Sequence, residues 1–251
     1  MTEIDKSPNG KVALVTGAAH RIGAEIVRQL HRAGMDILLH YHSSSADAEK
    51  LQFELTSLRK NSVRLVQANL LDMAALEILV QQATDWRGRL DLLVNNASSF
   101  YPTPLANADE AEWDALMGTN LKAPFFLSKY AAPLLQANRG CIVNLLDIHA
   151  DRPLAKHSIY SIAKAGNSML VKSLARELGP EVRVNGVAPG AILWPNDKMP
   201  METKAEIISR TALKRAGSPG DIARAVLFLV QDAGYISGQI ITVDGGRSVQ
   251  Q

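Results

Sequence analysis

Seven short apolar runs, each parted from the next by a stretch of helical spacing, leave this chain few folds to adopt. The runs are Val12–Val15, Asp36–His40, Val63–Gln67, Leu90–Val94, Cys141–Leu146, Val182–Val187 and Ile240–Val243. Most are apolar at successive positions, which suits strands covered on both faces. Between them, apolar residues recur at helical intervals. Ile22 to Arg32, Ala46 to Lys60 and a segment from Asp72 to about Trp86 read as helices. So do a segment from about Asp109, one from about Asn120 to Asn138, Ser158 to Leu178, and Pro219 to Val230. Strand and helix in alternation imply a parallel sheet with helices on both sides, joined by right-handed crossovers. The expectation is an α/β chain, a single Rossmann-type doubly wound domain over residues 1–251, with a seven-stranded parallel sheet.

The punctuation agrees. Asp72 stands where an N-cap is needed, and Gly34 and Gly179-Pro180 stand where helices must stop. Pro219 fits the first turn of its helix. Residues 1–10 are polar and contain Pro8-Asn9-Gly10, so a flexible N-terminus is expected. Residues 192–215 are the least regular and rich in Pro and Met. They follow a strand at the carboxyl edge of the sheet, where a lid over a site is expected.

Composition narrows the partners. The chain has 251 residues with 27 basic and 25 acidic side chains, a formal charge of +2. That balance favours neither nucleic acid nor a membrane surface. No apolar stretch is long enough to span a bilayer, and residues 1–11 have no apolar core of a secretory signal. Cys141 is the single cysteine, so no internal disulfide forms, and its apolar setting marks it as buried filler. A cytoplasmic protein is expected.

The first strand runs into Thr16-Gly17-Ala18-Ala19-His20-Arg21-Ile22-Gly23 and then a helix. Glycine lets the backbone turn tightly, and the helix N-terminus aims free N–H groups at a phosphate. This context points to a dinucleotide site. After the second strand come His40-Tyr41-His42-Ser43-Ser44-Ser45, with no acid before Asp47. An acid here would bond a ribose 2′-OH and repel a 2′-phosphate. Imidazoles, hydroxyls and loop N–H groups suit the phosphate, so NADP(H) is expected. His40 and His42 have no second His/Cys cluster to complete a metal site, and no metal is expected.

Tyr160-Ser-Ile-Ala-Lys164 opens the long helix and puts two polar groups on one face. An ammonium beside a phenol lowers the phenol's pKa and lets it exchange a proton near neutral pH. Asn96 and Ala97, Asn120, and Pro189-Gly190 all fall near the carboxyl ends of strands, where open α/β sheets bind ligands. His149 and His157 lie close in sequence and read as loop residues.

This set resembles the short-chain dehydrogenase/reductase family from Lys11 to about Arg247, including Asp244-Gly245-Gly246. The turn is similar to the family's TGxxxGxG pattern, with Arg21 where the middle glycine is usual. The resemblance implies that Tyr160 is the general acid, that Lys164 also holds the nicotinamide ribose, and that Asn120 maintains a proton relay through water. It implies a cofactor site made of Gly17, Arg21, Ile22, Gly23, His40, Tyr41, His42, Ser43, Ser44, Asn69, Leu70, Asn96, Ala97, Ser98, Tyr160, Lys164, Pro189, Gly190 and Ile192. Most of the family carries a serine where this chain has Asp147. A carboxylate accepts hydrogen bonds where a serine would donate one, which suits a nitrogen heterocycle better than a ketone.

In Arg21, in the His-Tyr-His-x-Ser string and in Asp147 the chain is similar to the pteridine reductase branch, which uses an Asp-Tyr-Lys triad. That branch often has an arginine where Ser43 stands, and several members carry a polar substrate contact where Ile192 stands. By this resemblance the substrate site comprises Arg21, Ser98, Phe100, Asp147 and Tyr160, with Phe100 stacking on a pterin. It implies NADPH-dependent reduction of oxidised pterins, dihydrofolate included, by a homotetramer. The alternatives are a carbonyl or 3-oxoacyl reductase of the same family, a non-catalytic NADP(H) sensor, and a structural subunit.

Overall fold

The strands stack in the order β3-β2-β1-β4-β5-β6-β7, every neighbouring pair parallel. The computed structural model describes residues 9–192 and 201–249. The strands are β1 Val12–Val15, β2 Asp36–Tyr41, β3 Val63–Gln67, β4 Leu92–Asn95, β5 Cys141–Leu145, β6 Arg183–Pro189 and β7 Ile240–Val243. The helices are α1 Arg21–Arg32, α2 Ser45–Leu58, α3 Met73–Arg87, α4 Glu110–Met117, α5 Ala123–Ala137, α6 Ser158–Leu178, α7 Met201–Ser209 and α8 Pro219–Gln231. A π turn, Gly118–Lys122, joins α4 to α5, and a 3-10 turn, Ile148–Ala150, follows β5.

Side-chain alternation along each strand builds two cores. Ala13, Val15, Ile37, Leu39 and Val94 face α1, α2 and α8. Val12, Leu14, Leu38, Leu93 and Ile142 face α3, α5 and α6. The inner strands β2, β1, β4, β5 and β6 are therefore dry on both faces, as their apolar runs require, while the edge strands β3 and β7 stay partly exposed. The order reverses between β1 and β4, and that switch point opens a crevice at their carboxyl ends.

Three differences from the expected elements stand out beyond small shifts at strand and helix ends. β4 begins at Leu92, because Asp91 serves the strand start instead: its carboxylate accepts from Val12 N at 2.8 Å and pairs with Arg89 at 2.7 Å. β6 runs on to Pro189, which pairs with Val243 at the rim of the sheet. The segment expected as an irregular lid contains helix α7, and Ile192 at its start is buried. The rest of that expectation falls partly on residues 193–200, outside the described residues, as do residues 1–8 of the expected flexible N-terminus. Among the described residues no helix is long and apolar enough to cross a membrane.

Candidate active site

The phosphate-binding turn is knitted to β4. Thr16, buried at the end of the first apolar run, accepts from Asn96 N at 2.9 Å and Ala97 N at 3.0 Å through its hydroxyl. Asn96 Nδ2 donates to the carbonyls of Thr16 and Gly17, both at 2.9 Å. Thr16 opens the glycine-turn motif, but its role in tying that turn to β4 leaves no trace in the sequence beyond a hydroxyl at a strand's end. Gly17 has φ +59, and a Cβ there would sit 2.9 Å from Ala97 Cα. At Gly23 a Cβ would overlap the Gly17 carbonyl. The N-cap of α1, His20, makes no side-chain cap bond, so the first amides of α1 keep their donors for a ligand. The turn thus has the close backbone approach and free donors that a dinucleotide phosphate needs.

Arg21 takes φ +54 at the start of α1. That is a glycine-like conformation, so the backbone here keeps the shape of a glycine turn while carrying a cation. Arg21 is exposed. Ile22 is half-buried behind it and packs on the α1 core.

His40 differs from its expected role. Its Nδ1 accepts from Gly17 N at 3.1 Å, and its Nε2 lies 3.1 Å from the Ala68 carbonyl. A carbonyl can only accept, so Nε2 carries the hydrogen and the ring is neutral. Burial pushes its pKa down to about 4. His40 therefore holds the turn from beneath and brings no charge to a phosphate. His42 and Ser43 are exposed, Tyr41 and Ser44 half-buried, and Ser44 N-caps α2 without a side-chain cap bond. Asn69 accepts from Leu71 N at 3.0 Å and shapes the turn after β3, while Leu70 is buried in the second core. At the far rim Gly190 packs so closely on Asp244 that a Cβ would lie 2.8 Å from its Cα.

Tyr160 and Lys164 rise from the first turns of α6, both buried. Tyr160 Oη donates to Asp147 Oδ2 at 2.8 Å. Asp147 is fixed by a second bond, accepting from His149 N at 2.9 Å through its other oxygen. Burial, then the Asp147 charge, hold the Tyr160 pKa well above 10. The lowering expected from Lys164 does not show; a hydrogen bond with Ser98 is what lowers the pKa, and it is outweighed. Lys164 Nζ instead donates to the Leu145 carbonyl at 2.9 Å, and burial lowers its pKa to about 8 against the pull of Asp147.

Asn120 lies in the π turn, not a regular helix. Its Oδ1 accepts from Ser98 Oγ at 2.7 Å, and its Nδ2 donates to the Ser99 and Leu116 carbonyls, both at 3.0 Å. Both Nδ2 hydrogens are thereby taken, while Oδ1 and the main-chain carbonyl, which accepts from Asn167 Nδ2 at 2.8 Å, each keep a lone pair able to meet a water.

Phe100 is 44% exposed, with its ring centroid 4.9 Å from that of Tyr160 in an edge geometry. His157, expected as a plain loop residue, stacks on Phe100 at 4.7 Å with 14° between the rings. Among the described residues no group of three His, Cys, Asp or Glu side chains could hold a metal.

A buried, protonated phenol beside a buried lysine, at the mouth of a glycine turn on a parallel sheet, defines a nucleotide-linked oxidoreductase. The family model described as enoyl-(acyl carrier protein) reductase matches residues 17–248. The chain is 37% identical to pteridine reductase 1 of Leishmania tarentolae over 97% of its own length and 98% of the relative's. It is also 37% identical to a 3-oxoacyl-(acyl-carrier-protein) reductase of Staphylococcus aureus, over 94% and 97%. A 3-oxoacyl-(acyl-carrier-protein) reductase of Thermotoga maritima is 33% identical over 94% and 97%. The chain belongs to the short-chain dehydrogenase/reductase family and is an oxidoreductase.

Proposed function

We propose that this enzyme reduces oxidised pterins with NADPH. One observation carries the reading: the Tyr160 hydroxyl is held by a carboxylate, Asp147, beside the exposed ring of Phe100. A ketone needs a donor at that position, and a carboxylate has none to give. A pterin brings N–H groups that Asp147 can accept and a flat ring that Phe100 can cover.

The Gly17–Gly23 turn would hold the phosphates of NADPH, which would supply a hydride to a substrate beside Tyr160. His42, Ser43, Ser44 and the first amides of α2 would meet its 2′-phosphate, and Arg21 its pyrophosphate or the substrate. Ser98, Pro189, Gly190 and Ile192 would line the rest of the cofactor cleft. Asp147 keeps the proton on Tyr160 until substrate N–H groups engage the carboxylate. The freed hydroxyl then faces a ring nitrogen and donates its proton. Lys164 would hold the nicotinamide ribose, and the Asn120 carbonyl a relay water.

A second reading stands on the 3-oxoacyl reductase relatives, which are as similar in identity as the pteridine reductase. The test is NADPH oxidation by the wild type and Asp147→Ser with biopterin, dihydrobiopterin, dihydrofolate and an acetoacetyl thioester. Pterin turnover by the wild type, lost in the variant, is the expected result. Turnover of the thioester alone would overturn it. Exposed Phe125, Ile162 and Met169 on α5 and α6 support self-association, and we propose a cytoplasmic homotetramer.

A further inference from the structure

Four asparagines form a continuous buried ladder beneath the site. Asn95 ends β4, Asn144 lies in β5, Asn167 in α6 and Asn120 in the π turn. None is more than 3% exposed. Asn95 Nδ2 donates to Asn144 Oδ1 at 2.8 Å, and Asn144 Nδ2 to Asn167 Oδ1 at 2.7 Å. Asn167 Nδ2 then donates to the main-chain carbonyl of Asn120 at 2.8 Å.

That last acceptor sets the direction of the whole ladder. A carbonyl oxygen can only accept, so Asn167 must turn its nitrogen toward Asn120. Its oxygen then faces Asn144, and the same logic runs back to Asn95. Turning one amide alone would oppose two donors or two acceptors. The polarity leaves Asn95 Oδ1 buried without a partner among the described residues. An unmet buried acceptor is costly, and apolar side chains would fill the same space without that cost. The ladder therefore demands a reason beyond packing.

Its position supplies one. Asn167 lies one turn of α6 past Lys164, on the same face. Asn144 immediately precedes Leu145, whose carbonyl holds Lys164 Nζ at 2.9 Å. Tyr160 is 4% and Lys164 2% exposed, so little of either side chain meets bulk water directly. A proton returning to them can pass along hydrogen-bonding groups, and the Asn120 main-chain carbonyl, held on one lone pair by Asn167, keeps its other lone pair for a water. We propose that Asn167 is a positioning residue for proton delivery. It aims the Asn120 carbonyl and so sets the path that restores the proton on Lys164 and Tyr160 after each hydride transfer. The inference rests on the oxidoreductase chemistry of the family and is independent of the pterin reading.

The test compares Asn167→Leu and Asn167→Asp with the wild type, using dihydrobiopterin and an acetoacetyl thioester and following whichever one the wild type reduces. Both variants lose the donor to Asn120, and Asp keeps the size. The expected result is a kcat lowered about tenfold, a modest share of what general acid catalysis contributes. The solvent deuterium isotope effect on kcat should rise and the alkaline limb of the kcat profile move to lower pH, with KM for NADPH unchanged. Asn95→Ala, at the far end of the ladder, should lower Tm and leave the isotope effect and the limb where they are. A folded Asn167 variant that loses only Tm, with the wild-type limb and isotope effect, would make the residue structural and overturn the proposal. Should neither Asn167 variant fold, Asn167→Ala carries the test, since it removes the donor to Asn120 with the smallest change in packing; the same two readouts decide, and their constancy overturns the proposal.

Discussion

Tyr160 donates its phenolic hydrogen to Asp147 across 2.8 Å, and the carboxylate keeps that hydrogen on oxygen. Both burial and the Asp147 charge raise the Tyr160 pKa. The resting enzyme therefore stores an acid and not a phenolate. Asp147→Ser removes the negative charge, so Tyr160 should ionise at lower pH, while burial still holds it above an ordinary phenol. Ultraviolet difference titration, with Tyr160→Phe to identify the signal, reads the change. A Tyr160 titration unmoved by Asp147→Ser would leave burial as the sole cause.

Lys164 is kept at a cost in stability. Its pKa is about 8 in the fold and 10.5 when free. The charged form is thus disfavoured in the folded protein by about 3 kcal/mol. This penalty is fully present below the folded pKa. It fades as pH rises from about 8 to 10.5, where the unfolded chain binds the extra proton. Lys164→Met loses the bond to the Leu145 carbonyl, worth about 1 kcal/mol. The variant should still be more stable at neutral pH, by about 2 kcal/mol on this balance, and nearly inactive. Urea unfolding checks the first statement and NADPH oxidation the second. A variant less stable than the wild type would show that the buried ammonium is better solvated than its surroundings indicate.

Much of this was readable in the chain because the signals are local. The turn at Gly17–Gly23 and the Tyr160–Lys164 pair each fit within one element and its neighbour, and their spacing alone puts them together. His40 was misread because its neighbours Ser43 and Ser44 suggest a phosphate loop, whereas its own ring turns inward to Gly17 and Ala68, contacts that only the sheet creates. The asparagine ladder was invisible for the same reason: its members come from two strands, a helix and a π turn. His157 gave no periodic signal, since its contact is with Phe100 in another loop. Helix α7 went unread because its Pro- and Met-rich approach resembles an irregular loop.

His40 makes the phosphate turn sensitive to acid. Its pKa falls from 6.5 to about 4 on folding. The unfolded chain therefore binds a proton first as pH drops. Stability tied to the neutral ring is complete above 6.5 and is lost down to about 4, a change of about 3 kcal/mol. His40→Asn, which can still offer one donor and one acceptor, should flatten that part of the stability profile. Thermal unfolding between neutral pH and the acid range measures it. An equal acid slope in wild type and variant would assign the loss to other groups.

Gly23 sets how closely α1 can approach the turn. A Cβ at this position would overlap the Gly17 carbonyl and lie 2.7 Å from Asn96 Nδ2. Neither can yield cheaply, because Asn96 holds the Thr16 and Gly17 carbonyls and Gly17 is held by His40. Gly23→Ala should therefore cost about 1–3 kcal/mol as overpacking. It should also displace the α1 amides from a phosphate, so NADPH affinity falls while Tyr160 and Asp147 stay paired. A fluorescence titration with NADPH, beside the Tyr160 titration described above, separates the two effects. Unchanged affinity in a folded Gly23→Ala variant would mean that the dinucleotide does not lie on this turn.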